Sequence, residues 1–586
     1  MKNIYILITV LLLVSCKTEI KKPQTYQLFL VETSDVHGAI FKYDFINNGE
    51  SESSLSQVSK YVTDLRKNNP VVLMDNGDIL QGQPVVYYSN YMDTVNNHIT
   101  SKTMNFMNYD AATVGNHDIE AGHKVYDKLK TEFDFPWLAA NAVDKSTGKP
   151  YFDPYVILNR DGIKIAVLGL ITPGIPDWLP EELWSGIEFE DMVESAKKWV
   201  PQILEKEKPD LLVGLFHSGY DYSYGNVGYN THKNENASFI VAEQVPGFDV
   251  IFVGHDHKTW NKKVKNVKGD EVLIMGPTSA ARQVAQVKVD FKLNPKDNQY
   301  DKQIEGEVIV ISEYEVDTLF ENEFDEEFNE IKEYVSAKVG EFEQTVYTQE
   351  ALFGPSRFID LIQEIQLDIS NAEISFAAPL SFNAVIDKGP VYVNDMFKLY
   401  RFENFLYTMS LTGKEIDDYL EYSFGNWYST MDDASDHLLN FKLNDKGEPQ
   451  YSERYNSYEL KTNYYNFDVA AGINYTVDVT QPYNEKVNII SMQNGSQFSE
   501  DSTYLVAINS YRGNGGGGHL TEGAGLTKQE ILERRVHSTD KDLRFYMMKW
   551  IENKGTVNPT FRNEWEVIPH DWWKKAKQKD KEFLNN

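Results

Sequence analysis

Five short stretches of this chain carry side chains able to share metal ions. They read Thr33-Ser34-Asp35-Val36-His37-Gly38, Asp75-Asn76-Gly77-Asp78, Gly115-Asn116-His117-Asp118, Phe216-His217-Ser218-Gly219 and Gly254-His255-Asp256-His257, and they hold five of the 12 histidines. Oxygen and imidazole donors without thiolate suit Zn, Mn or Fe and exclude a structural zinc finger. A carboxylate can bridge two cations about 3.5–4 Å apart, and such a pair activates water and stabilises both apical oxygens of an in-line phosphoryl transfer. Taken singly, each stretch reads equally well as a hydrogen-bonded loop. Five in order, each directly after an apolar run, point to one dimetal centre.

The apolar runs are Leu28-Phe29-Leu30-Val31, Val71-Val72-Leu73-Met74, Ala111-Ala112-Thr113-Val114, Leu211-Leu212-Val213-Gly214-Leu215 and Val250-Ile251-Phe252-Val253. Bounded by Gly, Asp and Asn, they predict strands buried on both faces in an α/β layered domain over residues 27–315. Loops at the carboxyl ends of such strands converge on one crevice, which is where ligands bind in open α/β sheets. Phe320, Phe324, Phe328, Ile331, Val335 and Val339 then recur at helical steps and predict one helix over 316–340, ending at Gly340. That helix could belong to the core of either domain; its place at a change of texture favours a connection. Beyond it, Tyr- and Asn-rich alternation such as Asn474-Tyr475-Thr476-Val477-Asp478-Val479 predicts a second, α+β domain over 341–573, with a charged tail at 574–586. Two domains also fit 586 residues, more than one hydrophobic core usually supports.

The formal charge of −31 argues against nucleic-acid polymers and anionic membrane surfaces as partners. It leaves small phosphorylated substrates open, because two bound divalent cations would dominate the local field. Ile4 to Val14 is too short an apolar run to span a bilayer but right for the core of a signal peptide, residues 1–15. It ends Leu13-Val14-Ser15-Cys16, which resembles a bacterial lipobox, with 16–26 as a tether. An ordinary secretory signal with an incidental cysteine is the alternative. Cys16 is the only cysteine, so no internal disulfide is available to it.

The order Asp-x-His, Gly-Asp, Gly-Asn-His-Asp, His, Gly-His-x-His resembles the calcineurin-like metallophosphoesterases. With the second domain added, the chain from Leu28 to about Trp550 resembles the secreted bacterial 5′-nucleotidase family, including its 2′,3′-cyclic-nucleotide 2′-phosphodiesterase/3′-nucleotidase branch. The resemblance implies a four-layer α/β/β/α sandwich, a linker helix and a nucleotide-binding α+β domain. It also implies two divalent metals: one on Asp35, His37 and His257, the other on Asn116, His217 and His255, with Asp78 bridging. His117 would stabilise charge on the phosphoryl group, oriented by Glu120. In the second domain, Tyr400-Arg401-Phe402-Glu403-Asn404-Phe405, Tyr465-Asn466-Phe467-Asp468-Val469 and Asn509-Ser510-Tyr511-Arg512-Gly513-Asn514-Gly515-Gly516-Gly517-Gly518 resemble the same family. By that likeness Phe402 and Tyr511 would sandwich a nucleobase, with Asn404, Arg512, Gly515 and Gly516 beside it. Both rings could instead be core aromatics, of which this domain has many. Where the 5′-nucleotidase branch places an aspartate in the glycine-rich loop, this chain has Gly517.

The expectation is an exported, monomeric, lipid-anchored phosphoesterase of a bacterial envelope acting on small nucleotides. A 5′-nucleotidase or nucleotide-sugar hydrolase with the same site, and a non-catalytic surface lipoprotein on the same fold, are the rivals. Replacing Cys16 by Ser should abolish incorporation of labelled fatty acid and leave the precursor unprocessed. Label in the mutant, or none in the wild type, would remove the anchor.

Overall fold

The computed structural model describes residues 22–224, 227–452 and 457–585, so Cys16 and the apolar run before it lie outside the described residues. Among the described residues no helix is long and apolar enough to cross a membrane.

Two six-stranded sheets face each other in the N-terminal domain. The first runs Gln299–Val310, Gln283–Asn294, Thr25–Thr33, Val71–Asp75, Ala111–Thr113, Trp137–Leu138; the second runs Trp260–Lys265, Glu271–Gly276, Val250–Val253, Leu211–His217, Ile163–Ile171, Tyr155–Arg160. Side chains alternate along each strand, and here both directions are apolar. Leu30, Val72 and Met74 point between the sheets, against Val167, Val213 and Phe252. Val31, Val71 and Leu73 point outward under the helices Leu55–Arg66 and His123–Glu132. On the far side Leu212, Phe216 and Ile251 meet the helices Met192–Lys206 and Ser238–Gln244. The result is the α/β/β/α sandwich, and the continuous apolar runs are what strands covered on both faces require.

Parallel register brings the ends of the strands level. Thr33 pairs with Asp75 and Asp75 with Ala112 in one sheet; Phe216 pairs with Val253 in the other. The loops beyond these ends therefore leave from one edge.

The expected single helix over 316–340 is two helices and a strand. Asp317 caps Thr318–Glu323, and its carboxylate accepts from Leu319 N at 3.0 Å. Phe324 then leaves helical geometry at φ −110°, ψ 20°, and a second helix spans Asp325–Val335. Phe320, Phe324, Ile331 and Val335 pack on the first sheet's outer layer, so this face belongs to the N-terminal core. Val339 belongs to the other core, on the strand Lys338–Phe342, which pairs with Gly389–Tyr392 and Thr556–Val557. Gly340 does not stop a helix; a Cβ there would lie 2.7 Å from Ile551 Cγ2, so it lets the strand approach its neighbour.

The C-terminal domain is built on a five-stranded mixed sheet, Val469–Ala471, Ile374–Ala377, Thr503–Asn509, Phe405–Thr412, Arg535–Asp542. A reciprocal cap starts the helix Gly413–Trp427: Glu415 N donates to Thr412 Oγ1 at 3.2 Å, and Thr412 N to Glu415 Oε2 at 2.8 Å. The expected charged tail is the helix His570–Asn585. Its Ala576, Asp580 and Leu584 recur at steps of four and are buried, while Phe583 stacks on Tyr458 at 4.0 Å between centroids. Lysines cover the other face, which is why the composition alone looks like a solvated tail.

Asp580 accepts from Leu438 N at 2.8 Å, Leu439 N at 2.9 Å and His437 Nδ1 at 2.5 Å. Asp580→Ala strands two buried backbone donors, each costing about 1–3 kcal/mol. The urea midpoint of the C-terminal domain should fall while bound metal is unchanged; an unmoved midpoint would show that the helix is not integral to the domain.

Candidate dimetal active site

The seven expected metal ligands meet at the level strand edge. Asp35, His37, Asp78 and His257 each bring one donor atom within 4.8 Å of the others, and Asp78, His217 and His255 do the same. Between donors the separations are short. His37 Nε2 is 3.1 Å from His257 Nε2, and His257 Nε2 is 3.3 Å from Asp35 Oδ1. In the second group His217 Nε2 lies 3.2 Å from Asp78 Oδ2 and 3.0 Å from Asn116 Oδ1, and His255 Nδ1 lies 2.8 Å from Asn116 Oδ1. Donors about 2.1 Å from one cation stand about 3.0–3.4 Å apart at octahedral to tetrahedral angles, so the set fits two cations with Asp78 common to both.

The backbone is bent to reach this arrangement. Asp35, His37, Asp78, His255 and His257 all adopt positive φ, between 49° and 72°. The left-handed region costs an ordinary residue about 1–2 kcal/mol, and such strain persists where the surroundings over-determine it. Two glycines leave the needed space. A Cβ at Gly115 would lie 2.2 Å from Asp78 Oδ1, and one at Gly254 would lie 2.9 Å from Asp35 Oδ2.

Asp118, whose role the sequence does not reveal, binds the bridging loop from behind. Its buried carboxylate accepts from Gly115 N at 2.7 Å, Ile79 N at 2.9 Å, Asp78 N at 3.0 Å and Leu80 N at 3.2 Å. Burial and the Asp78 charge push this carboxyl up to about 7, against the pull of those donors.

Three of the imidazoles are held by their other nitrogen, which fixes the tautomer. Nδ1 of His37 donates to Gln81 O at 3.1 Å and Nδ1 of His217 to Asn76 O at 2.6 Å, leaving Nε2 for metal. His255 is reversed: its Nε2 donates to Glu235 Oε1 at 2.9 Å and Nδ1 faces Asn116. Glu235 is thus a second support, absent from the expected site residues. Burial, with His257 next, pulls His37 down to about 3, so it is neutral and able to coordinate. Against burial, Asp78 lifts His217 to about 9, and a cation arriving there displaces that proton. Burial alone would raise Asp35, yet His257 and His217 hold its carboxyl well below the usual range.

His117 stands at the start of the short helix Asn116–Glu120, its N–H on Asp78 Oδ1 at 2.8 Å and its ring edge-on to His37 at 5.4 Å. Glu120 receives a short hydrogen bond from His117 Nδ1. The longer glutamate reaches because a helical i,i+3 step places it beside the ring. Burial depresses His117, but Asp78 and Glu120, with Glu403 beyond, outweigh it and lift the ring to about 10. Cations on Asp78 would oppose that lift.

Residues 30–259 match the family model of calcineurin-like phosphoesterases, and residues 336–522 match that of the 5′-nucleotidase C-terminal domain. The chain belongs to the two-domain 5′-nucleotidase family of metallophosphoesterases. It is 27% identical to the trifunctional nucleotide phosphoesterase protein YfkN of Bacillus subtilis, over 93% of this chain and 39% of that one, and so spans well under half of that relative. It is 25% identical to a 2′,3′-cyclic-nucleotide 2′-phosphodiesterase/3′-nucleotidase of Yersinia enterocolitica, over 95% of this chain and 90% of that one. A candidate 5′-nucleotidase structure from Staphylococcus aureus superposes with a TM-score of 0.75 at 19% identity, covering 92% of this chain and 99% of that one, a likeness of fold.

In this family member the second domain presents its loops from two adjacent strands. Leu406 pairs with Asn509, so Phe402 before one strand and Tyr511 after the other emerge at one end, both half-buried. A Cβ at Gly516 would lie 2.6 Å from the Tyr511 ring, and Gly515 turns at φ 101°, so the glycine loop supports that ring. Asn404 accepts from Leu543 N at 2.7 Å through its backbone carbonyl, and its side-chain Nδ2 donates to Tyr400 Oη at 3.4 Å. Arg512, expected beside the substrate, is a correction. It is 1% exposed, and its guanidinium donates to Asp468 Oδ1 from Nε and Nη2 at 3.1 Å, to Gly516 O at 3.1 Å and to Tyr465 O at 2.6 Å. Those bonds fasten the glycine loop and leave little for a ligand.

Asp78→Ala should lose both metal equivalents, and Asp118→Ala should lose them as fully although it is no ligand, because the bridging loop is released. His117→Ala should keep two metals and lose about 10²–10⁴-fold in kcat. Metal analysis beside kcat decides; a His117 variant that loses metal in step with activity would refute its assignment.

Proposed function

We propose that this chain hydrolyses phosphate esters of nucleotides, with 2′,3′-cyclic nucleotides and 3′-nucleotides as preferred substrates. The observation that carries the hydrolase reading is the convergence of six residues on two overlapping clusters, with Asn116 against His217 and His255 and the His117–Glu120 pair at their edge. A divalent pair on Asp35, His37, Asp78, Asn116, His217, His255 and His257 would supply Lewis acidity and an activated water. His117 stands where a proton donor and charge stabiliser for a phosphoryl oxygen is needed, and Glu120 fixes its tautomer. A donor set this complete argues against a binding module that merely kept the fold.

Two observations favour the cyclic-nucleotide branch. Relatives named for that activity align over 92–95% of this chain at 25–26% identity, and 5′-nucleotidases of Vibrio align over 40–68% at 26–34%. The loop position where 5′-nucleotidases carry an aspartate is closed to any side chain here. A Cβ at Gly517 would lie 2.2 Å from Arg512 Nη1, and the residue turns at φ 74°. Tyr511 and Phe402 would hold the base. With the short apolar run that ends at the lone Cys16, this makes an exported lipoprotein that recovers phosphate and nucleoside from extracellular nucleotides.

The test is a panel of 2′,3′-cyclic AMP, 3′-AMP, 5′-AMP, UDP-glucose and the base-free ester bis-p-nitrophenyl phosphate. The first two should exceed 5′-AMP and UDP-glucose by at least about tenfold in kcat/KM. Tyr511→Ala should cost about 5- to 150-fold on the nucleotides, the value of one stacked base, and less than about threefold on the base-free ester. Preference for 5′-AMP would move the chain to the other branch, and equal loss on every ester would make Tyr511 a core residue.

A further inference from the structure

His255 is fixed along two directions in its own plane, by Asn116 Oδ1 at Nδ1 and Glu235 Oε1 at Nε2. Neither bond fixes the tilt of the ring. Its face lies on Trp178, with centroids 5.5 Å apart and planes 24° from parallel. Trp178 ends the short helix Ile175–Trp178, which comes after the strand Ile163–Ile171. That strand stops level with the metal loops: Ile171 pairs with His217, and Thr172 N donates to His217 O at 2.8 Å. The indole lies folded back over Gly174, where a Cβ would come within 2.6 Å of two ring carbons, so only glycine admits this position.

The same helix is gripped from the other domain. Asn514 Nδ2 donates to Trp178 O at 3.3 Å, and Lys528 pairs with Asp177. The Lys528 pair is largely exposed and contributes little. The Asn514 bond matters more, because Asn514 comes directly after the turn Ser510–Gly513 that carries Tyr511 and opens the glycine loop. One helix therefore touches a metal ligand with its side chain and the nucleotide loop with its backbone.

We propose that Trp178 is a positioning residue that couples seating of the glycine loop to metal binding at the His255 cluster. A metal-bound imidazole is electron-poor, and the electron-rich face of an indole favours it over the unbound ring. The stack thus stabilises the liganded state specifically. When the C-terminal domain seats its loop, Asn514 holds the helix and with it the tilt of His255. By linkage, whatever holds that loop in place tightens the metal, and the metal tightens the loop by the same factor. The coupling rests on the dimetal reading of the site and extends it to the domain boundary.

The test is titration of the metal-stripped full-length protein with Mn(II) alone, resolving the two equivalents by calorimetry and by the EPR signal of the free ion. Trp178→Leu should weaken one equivalent by about tenfold, the usual scale for a lost support of a metal ligand, and leave the other unchanged. Trp178→Phe should restore most of that affinity, since a flat ring remains. Asn514→Ala, which leaves the indole intact, should weaken the same equivalent by a smaller factor than Trp178→Leu does. Unaltered affinities in Trp178→Leu, or equal weakening of both equivalents, would overturn the coupling alone. Fewer than two equivalents in the wild type would remove the dimetal reading, and the coupling with it.

Discussion

Asp35 and Asp78 are buried, at 0% and 1% exposure, and each lies in the field of the other. Two carboxylates withdrawn from water at such range cannot both be ionised unless positive charge sits between them. Protonated histidines can supply part of that charge, and cations supply it better, with donors already at coordination spacing. Most of the N-terminal domain answers to this requirement. The parallel strands end level so that five loops meet; glycines stand where a Cβ would strike a carboxylate; five ligands take left-handed backbone. The strain is borne because Asp118, Gln81, Asn76 and Glu235 hold the loops and rings from outside.

The ligands are readable in the sequence because strands covered on both faces leave unbroken apolar runs, and the loop after each run is short and chemically distinct. The supports are harder to see. Asp118 acts through backbone N–H groups of a loop some 40 residues earlier, and Glu235 through a histidine 20 residues later, so no local pattern marks either. The periodicity from Phe320 to Val339 is real yet misleading. A step-of-four pattern runs on through the break at Phe324 and then into a strand, because both helices bury apolar residues in the N-terminal core and the strand buries Val339 in the other. The terminal helix is hidden by charge, since its buried face contains Asp580, an acid that caps backbone rather than facing water.

In the second domain, likeness of motif places Phe402 and Tyr511 at one sheet end but misjudges Arg512. An arginine in a glycine-rich loop suggests a ligand for phosphate. Here its partner, Asp468, is buried 44 residues away in the chain and turns the pair into a brace. Burying an ion pair costs desolvation, which the added bonds to Gly516 and Tyr465 carbonyls help offset. The rigid loop beneath Tyr511 is the return.

His37 and His257 are 220 residues apart in the chain and 3.1 Å apart in space, and they come from different sheets. Asp35, His37, Asp78 and Asn116 leave the first sheet, whereas His217, His255 and His257 leave the second. The face between the sheets is otherwise packed mainly by apolar side chains, whose contacts resist separation better than sliding. A cation shared across that seam would therefore act as a rivet against shear. Each cluster draws donors from both sheets, so neither sheet alone carries a complete set. Metal bound at this site would thus mark two sheets held in register.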